Sequence, residues 1–146
     1  MISGMKTNYG LVALFLILGA PAHAADPCSL LTAADVKAAT GVEVAGGVAN
    51  RINKQVCDYK AAAAGSVINV LLTDKAPGDN AARTAAELTK RKIPSEAVAG
   101  IGDGAYRSSP GYGMQQMGAY KGVRHVVVTM MLMGAPEARV KAAVEA

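Results

Sequence analysis

The clearest pattern in the chain is an alternation near its C-terminal end, where Val126, Val128, Met130 and Leu132 fill the even positions of a run from Val123 to about Met133. Successive strand side chains point to opposite faces, so this period of two predicts a strand whose even face meets the core. The odd positions, among them His125, Thr129, Met131 and Met133, share the other face. Lys121-Gly122 reads as the turn from a preceding strand of about Met114 to Tyr120. Two earlier β-type runs, about Arg51 to Lys60 and Ser66 to Thr73, are separated by Ala61-Ala62-Ala63-Ala64-Gly65, short enough for a hairpin connection. In Val98-Ala99-Gly100-Ile101-Gly102-Asp103-Gly104-Ala105-Tyr106-Arg107 the glycines predict a tight turn into an edge strand, and Ser108 to Gly113 reads as a second turn.

Three stretches carry helix signals. Thr32 with Asp35 three residues later forms a cap signature, Leu31 and Val36 are placed for a hydrophobic staple, and Gly41 suits the left-handed position that closes the helix. Asn80 can cap a helix of about Ala81 to Lys92, with Ala81, Ala85 and Leu88 on one side and Pro94 beyond its end. Pro136 suits the first turn of a last short helix, in which Val140 and Val144 share a side. The order α-β-β-α-β-β-β-α predicts an α+β domain: a single antiparallel sheet of about five strands with two or three helices packed on one face.

Residues 1–24 change the picture of compartment. A lone Lys6, the apolar run Leu11 to Leu18 and the small-residue site Ala22-His23-Ala24 predict a secretory signal peptide, leaving a single domain over residues 25–146. The apolar run is shorter than the roughly 20 residues a spanning helix needs. A lipid anchor would require a cysteine directly after the cleavage site, where Ala25 stands. The expectation is a periplasmic or secreted protein with no stable membrane anchor after cleavage.

That mature chain would contain no Phe or Trp, so its core must come from aliphatic residues, methionine and four tyrosines. Its 14 Lys and Arg against 11 Asp and Glu leave a small positive charge. The only basic run, Lys90-Arg91-Lys92, falls at a helix end, where the dipole favours cations, and stacking aromatics are scarce; nucleic acid is excluded as a partner. Two cysteines in an oxidising compartment most often pair. A bond between Cys28 and Cys57 would close a loop of 29 residues, a stabilisation of about 3–4 kcal/mol by chain entropy.

Asp26-Pro27-Cys28-x-Leu30-Leu31-Thr32, the Cys57-x-Tyr59 strand and Val98-x-Gly100-x-Gly102-Asp103-x-Ala105-Tyr106, in that order, resemble a family of small bacterial exported proteins and lipoproteins of unknown function. The resemblance implies a compact α+β domain with Cys28 paired to Cys57, and it brings no catalytic residues. The chain departs from the lipoprotein members in having no lipobox cysteine.

Candidate chemistry is sparse. The glycines of Gly100 to Gly104 follow a helix and precede a strand, the reverse of a dinucleotide loop. A hydrolase built from His125, Asp103 and Ser108 or Ser109 lacks nucleophile-elbow spacing. Zinc is disfavoured when a disulfide removes both thiolates. Copper is the sharper alternative, because thioethers suit Cu(I) and the C-terminal half holds Met114, Met117, Met130, Met131 and Met133 beside His125. The competing reading makes the methionines core filler and His125 a satisfied, partly buried histidine. By exclusion the sequence points to a non-enzymatic binding or interaction module without a cofactor, whose partner is a protein or small molecule of the cell envelope.

Overall fold

The computed structural model describes residues 25–145, so the signal-peptide reading of residues 1–24 lies outside the described residues. After a 3-10 turn at Pro27–Ser29, the elements in order are α1 (Ala33–Thr40), β1 (Val48–Ala49), β2 (Val56–Asp58), β3 (Val67–Asp74), α2 (Ala81–Lys90), β4 (Ser95–Val98), β5 (Gly104–Gly111), β6 (Met114–Lys121), β7 (Arg124–Met131) and α3 (Glu137–Glu145). The strands form one antiparallel sheet in the order β1-β2-β3-β7-β6-β5-β4, and the class is α+β.

The sheet has seven strands where the sequence pattern predicts about five. Both unforeseen strands are short edges: β1 has two residues, and β4 is the four-residue Ser95-Glu96-Ala97-Val98, whose exposed middle residues give no apolar alternation. β5 is therefore internal, and it runs through Ser108 to Gly111 with a register shift there, leaving Tyr112-Gly113 as the turn. The first predicted β-run shortens for a different reason. Asn50 Oδ1 accepts from the N–H groups of Ile52 and Asn53, and Asn53 Oδ1 from that of Gln55, so the side chains wind residues 50–55 into a turn.

A second correction concerns the helices, which cover both faces. The register places Val126, Val128 and Met130 of β7 on one face with Val70 and Ile68 of β3, Cys57 of β2, and Met117 of β6. This face packs against Val36 of α1 and Val140, Ala143 and Val144 of α3. The opposite face carries Tyr106, Tyr120 and Gly118, and there Ala81, Ala85 and Leu88 of α2 pack on the two rings. Two alanines facing the sheet let α2 approach closely enough for Thr84 Oγ1 and Tyr120 Oη to share a hydrogen bond of 2.8 Å. β7, fourth of the seven strands, consequently has Val127 and Thr129 buried on one face and Met130 on the other.

Local signals explain the helix ends. Thr32 and Asp35 complete a reciprocal capping box, Gly41 closes α1 at φ +70°, and Asn80 caps α2. Cys28 and Cys57 are disulfide-bonded. Beside that bond, Tyr59 donates its hydroxyl to Leu31 O at 2.7 Å, so one covalent and one polar tie hold the N-terminal segment to β2.

A row of polar side chains crosses the α2 face. Ser95, Ser108, Gln116, Thr129, Asn69 and Asp58 are successive register partners from β4 to β2. Ser108 donates to Gln116, and Gln116 to Thr129. A one-residue slip would bury these groups on the wrong face, so the row fixes the register.

Gly118 has a steric role. A Cβ there would collide with the Tyr106 ring, which lies across the glycine. Gly118→Ala is expected to cost about 1–3 kcal/mol through overpacking. Urea denaturation measures this, and Tyr106→Leu should make the alanine tolerable by removing the ring.

Candidate functional site

A crevice of about 580 Å³ lies between α1, the C-terminal part of α3 and the sheet, lined by Leu30, Leu31, Val36, Ala39, Val128 and Met130 among others. Its origin is compositional. Five of the eight residues of α1 are Ala or Thr, and only Val36 and Thr40 are buried, so the helix supplies too little volume to fill its side of the sheet. The side chains that line it are apolar with one exception. The polar exception is Asp35, whose carboxylate accepts from Thr32 N and Thr32 Oγ1, each at 2.7 Å. The backbone bond, followed by the side-chain bond, holds its pKa below the ordinary carboxylate value, so the rim carries a fixed negative charge. Such a space accepts an apolar body and disfavours an anionic head.

A second cluster lies on the other face beneath α2. His125 stacks on Tyr120 with ring centroids 4.3 Å apart and planes 7° apart, and its Nε2 lies 3.1 Å from Tyr106 Oη. Burial, and then the electrostatic influence of Tyr120, raises the Tyr106 hydroxyl to about 12. Burial lowers the His125 pKa, with Asp79 opposing part of the effect. The phenol thus keeps its proton and can donate it to a neutral ring at Nε2. Both tyrosine hydroxyls in this stack are occupied, that of Tyr106 by His125 Nε2 and that of Tyr120 by Thr84, which describes a packing unit rather than an open reaction centre.

Neither serine lies beside His125. Ser108 lies four strand positions from the His125 row across β5–β7, about 13 Å at strand spacing. Its hydroxyl donates to Gln116, that of Ser109 to Gln115, and Asp103 accepts from Gly122 N at 2.6 Å. The copper set is also divided. Met117 is buried in the α1/α3 core, on the face opposite His125. Met131 is six residues along β7 from His125, about 20 Å. Met114 and Met131 flank the Gln115–Met130 pair as register neighbours, and Met133 is exposed with its side chain over Gly65. Among the described residues no group of three or more His, Cys, Asp or Glu is placed to hold a metal ion.

No family model, curated protein or solved structure matches this chain. The crevice is not legible in the sequence: locally Leu31 and Val36 have the pattern of a staple and Asp35 that of a cap, and only the tertiary placement of α3 makes them a wall and a rim. The alanine content of α1 was the available signal.

The His125 cluster predicts a pH dependence. Its pKa is lowered in the folded state, so the unfolded chain binds the proton more readily. The stabilisation from keeping the ring neutral is fully present above the unfolded value of about 6.5 and is lost as pH falls from there through the lower folded value. Thermal unfolding between neutral pH and mildly acidic pH should show a decline that His125→Phe flattens.

Proposed function

We propose that this protein is an exported, non-enzymatic binding module whose ligand is a small apolar molecule carrying a neutral or cationic polar group. The observation that carries this reading is the aliphatic crevice under α1 with ionised Asp35 at its rim. Its volume lies within the range of about 300–1,000 Å³ common to small-molecule sites. The Cys28–Cys57 bond fits an oxidising compartment, and no helix among the described residues is long and apolar enough to cross a membrane. Separation of the serines from His125 favours binding over catalysis, and burial of Met117 and Met130 in the core on the face opposite His125 favours an organic ligand over copper.

The test begins with native mass spectrometry of protein recovered from the exported fraction, paired with a denatured control. The expected result is a noncovalent mass of lipid-like composition, and Ala39→Phe, which fills the crevice, should eliminate it. Direct titration should then show dodecylamine binding about fivefold or more tighter than dodecanoate at low salt, from the charge at Asp35. Asp35→Asn should narrow that difference. A bare native mass, combined with dodecylamine affinity unchanged by Ala39→Phe, would refute the crevice as the site.

A further inference from the structure

One end of the sheet carries two protruding aliphatic side chains surrounded by positive charge. Ile52 is 97% exposed in the β1–β2 connection, and Val123 is 71% exposed in the β6–β7 turn. Their proximity follows from the pairing. Gln55 O accepts from Leu72 N, Val123 O accepts from Lys75 N, and Asp74 is the register partner of Arg124, so both turns leave the sheet at the end of β3. β2 and β7 flank β3, so the two strands that carry these turns run about 10 Å apart across the sheet at ordinary strand spacing.

Both turns are held rigidly. Asn50 and Asn53 accept three backbone N–H groups within the first, and Asn50 Nδ2 also donates to Asp58 at 2.7 Å. In the second, Gly122 takes φ +55° at the first turn position and donates its N–H to Asp103. Ile52 and Val123 are therefore presented by an ordered backbone instead of by frayed ends. The same end bears Arg51, Lys54, Lys75 and Lys121, none of which forms an ion pair among the described residues. Arg124 is paired with Asp74, Arg83 bonds Gly78 O, and Asp58, Asp79 and Asp103 are the other carboxylates nearby. Six cations face four carboxylates, so the net charge of this end is positive.

We propose that this end docks reversibly on an anionic phospholipid surface, with Ile52 and Val123 entering the headgroup–acyl boundary and the lysines and arginine meeting lipid phosphates. The charge complementarity selects the occupant. Apolar tips alone would suit many partners, whereas shallow apolar insertion ringed by uncompensated cations is the combination that binds an anionic bilayer interface. Docking at this end is separate from ligand binding in the crevice, which lies under α1 on one sheet face.

Vesicle co-sedimentation of the exported protein tests this, comparing phosphatidylcholine vesicles with others containing about 30% phosphatidylglycerol. Binding is expected only to the anionic vesicles and should fall in high salt. Ile52→Ser with Val123→Ser should lower partitioning about tenfold or more, and Lys54→Glu with Lys121→Glu by a similar factor. Thermal unfolding of both double variants should match the parent, since all four side chains are exposed. Tyr112→Ser, at the opposite end of the sheet and itself 96% exposed, should change nothing. Doxyl-labelled lipid should broaden the amides of Ile52 and Val123 and spare that of Tyr112. Equal binding to both vesicle types, absence of binding, or partitioning indifferent to Ile52 and Val123 would overturn the proposal.

Discussion

The structure depends on covering both faces of β7. That strand pairs along its length with β3 on one side and β6 on the other, so neither face can be left to solvent without exposing Val127 or Met130. A chain segment with neither Phe nor Trp must provide this cover with small means. On one face it uses α2, whose alanines let two tyrosines and a histidine fill the interval. On the other it uses α1 and α3 around an aliphatic and methionine core.

The two solutions differ in how completely they fill space, and that difference produces the crevice. Tyr106 lies directly over Gly118, and its hydroxyl reaches His125, so the space beneath α2 at Gly118 is filled. The alanine-rich α1 cannot fill the gap between itself, α3 and the sheet, and a crevice remains. The disulfide and the Tyr59–Leu31 bond keep the segment beside that opening attached to β2 instead of allowing it to collapse inward. An unfilled, rigidly bordered apolar space differs from a packing fault, because its walls are held apart.

Charge is distributed by the same architecture. The sequence as a whole is only weakly basic, which by itself speaks to solubility. Hairpin geometry gathers Arg51, Lys54, Lys75 and Lys121 at one end of the sheet with Ile52 and Val123, residues that no local pattern links. The Asx turns of residues 50–55 make that end firm, just as they shorten β2.

The sequence by itself determined what depends on neighbours in the chain. The capping box of Thr32 and Asp35, the Gly41 stop, the Asn80 cap, and the alternation of Val126, Val128 and Met130 all appear where their local chemistry places them. The pairing of two cysteines was also legible, because only one partner existed for each among the described residues. Tertiary structure alone decided the edge strands β1 and β4, which rely on backbone pairing and carry no periodic signal. It also decided which face each helix covers, since α2 is amphipathic whichever side of the sheet receives it. The crevice, the His125 stack and the cationic end belong to this second group: each joins residues far apart in sequence, and strand register, a long-range property, brings them together.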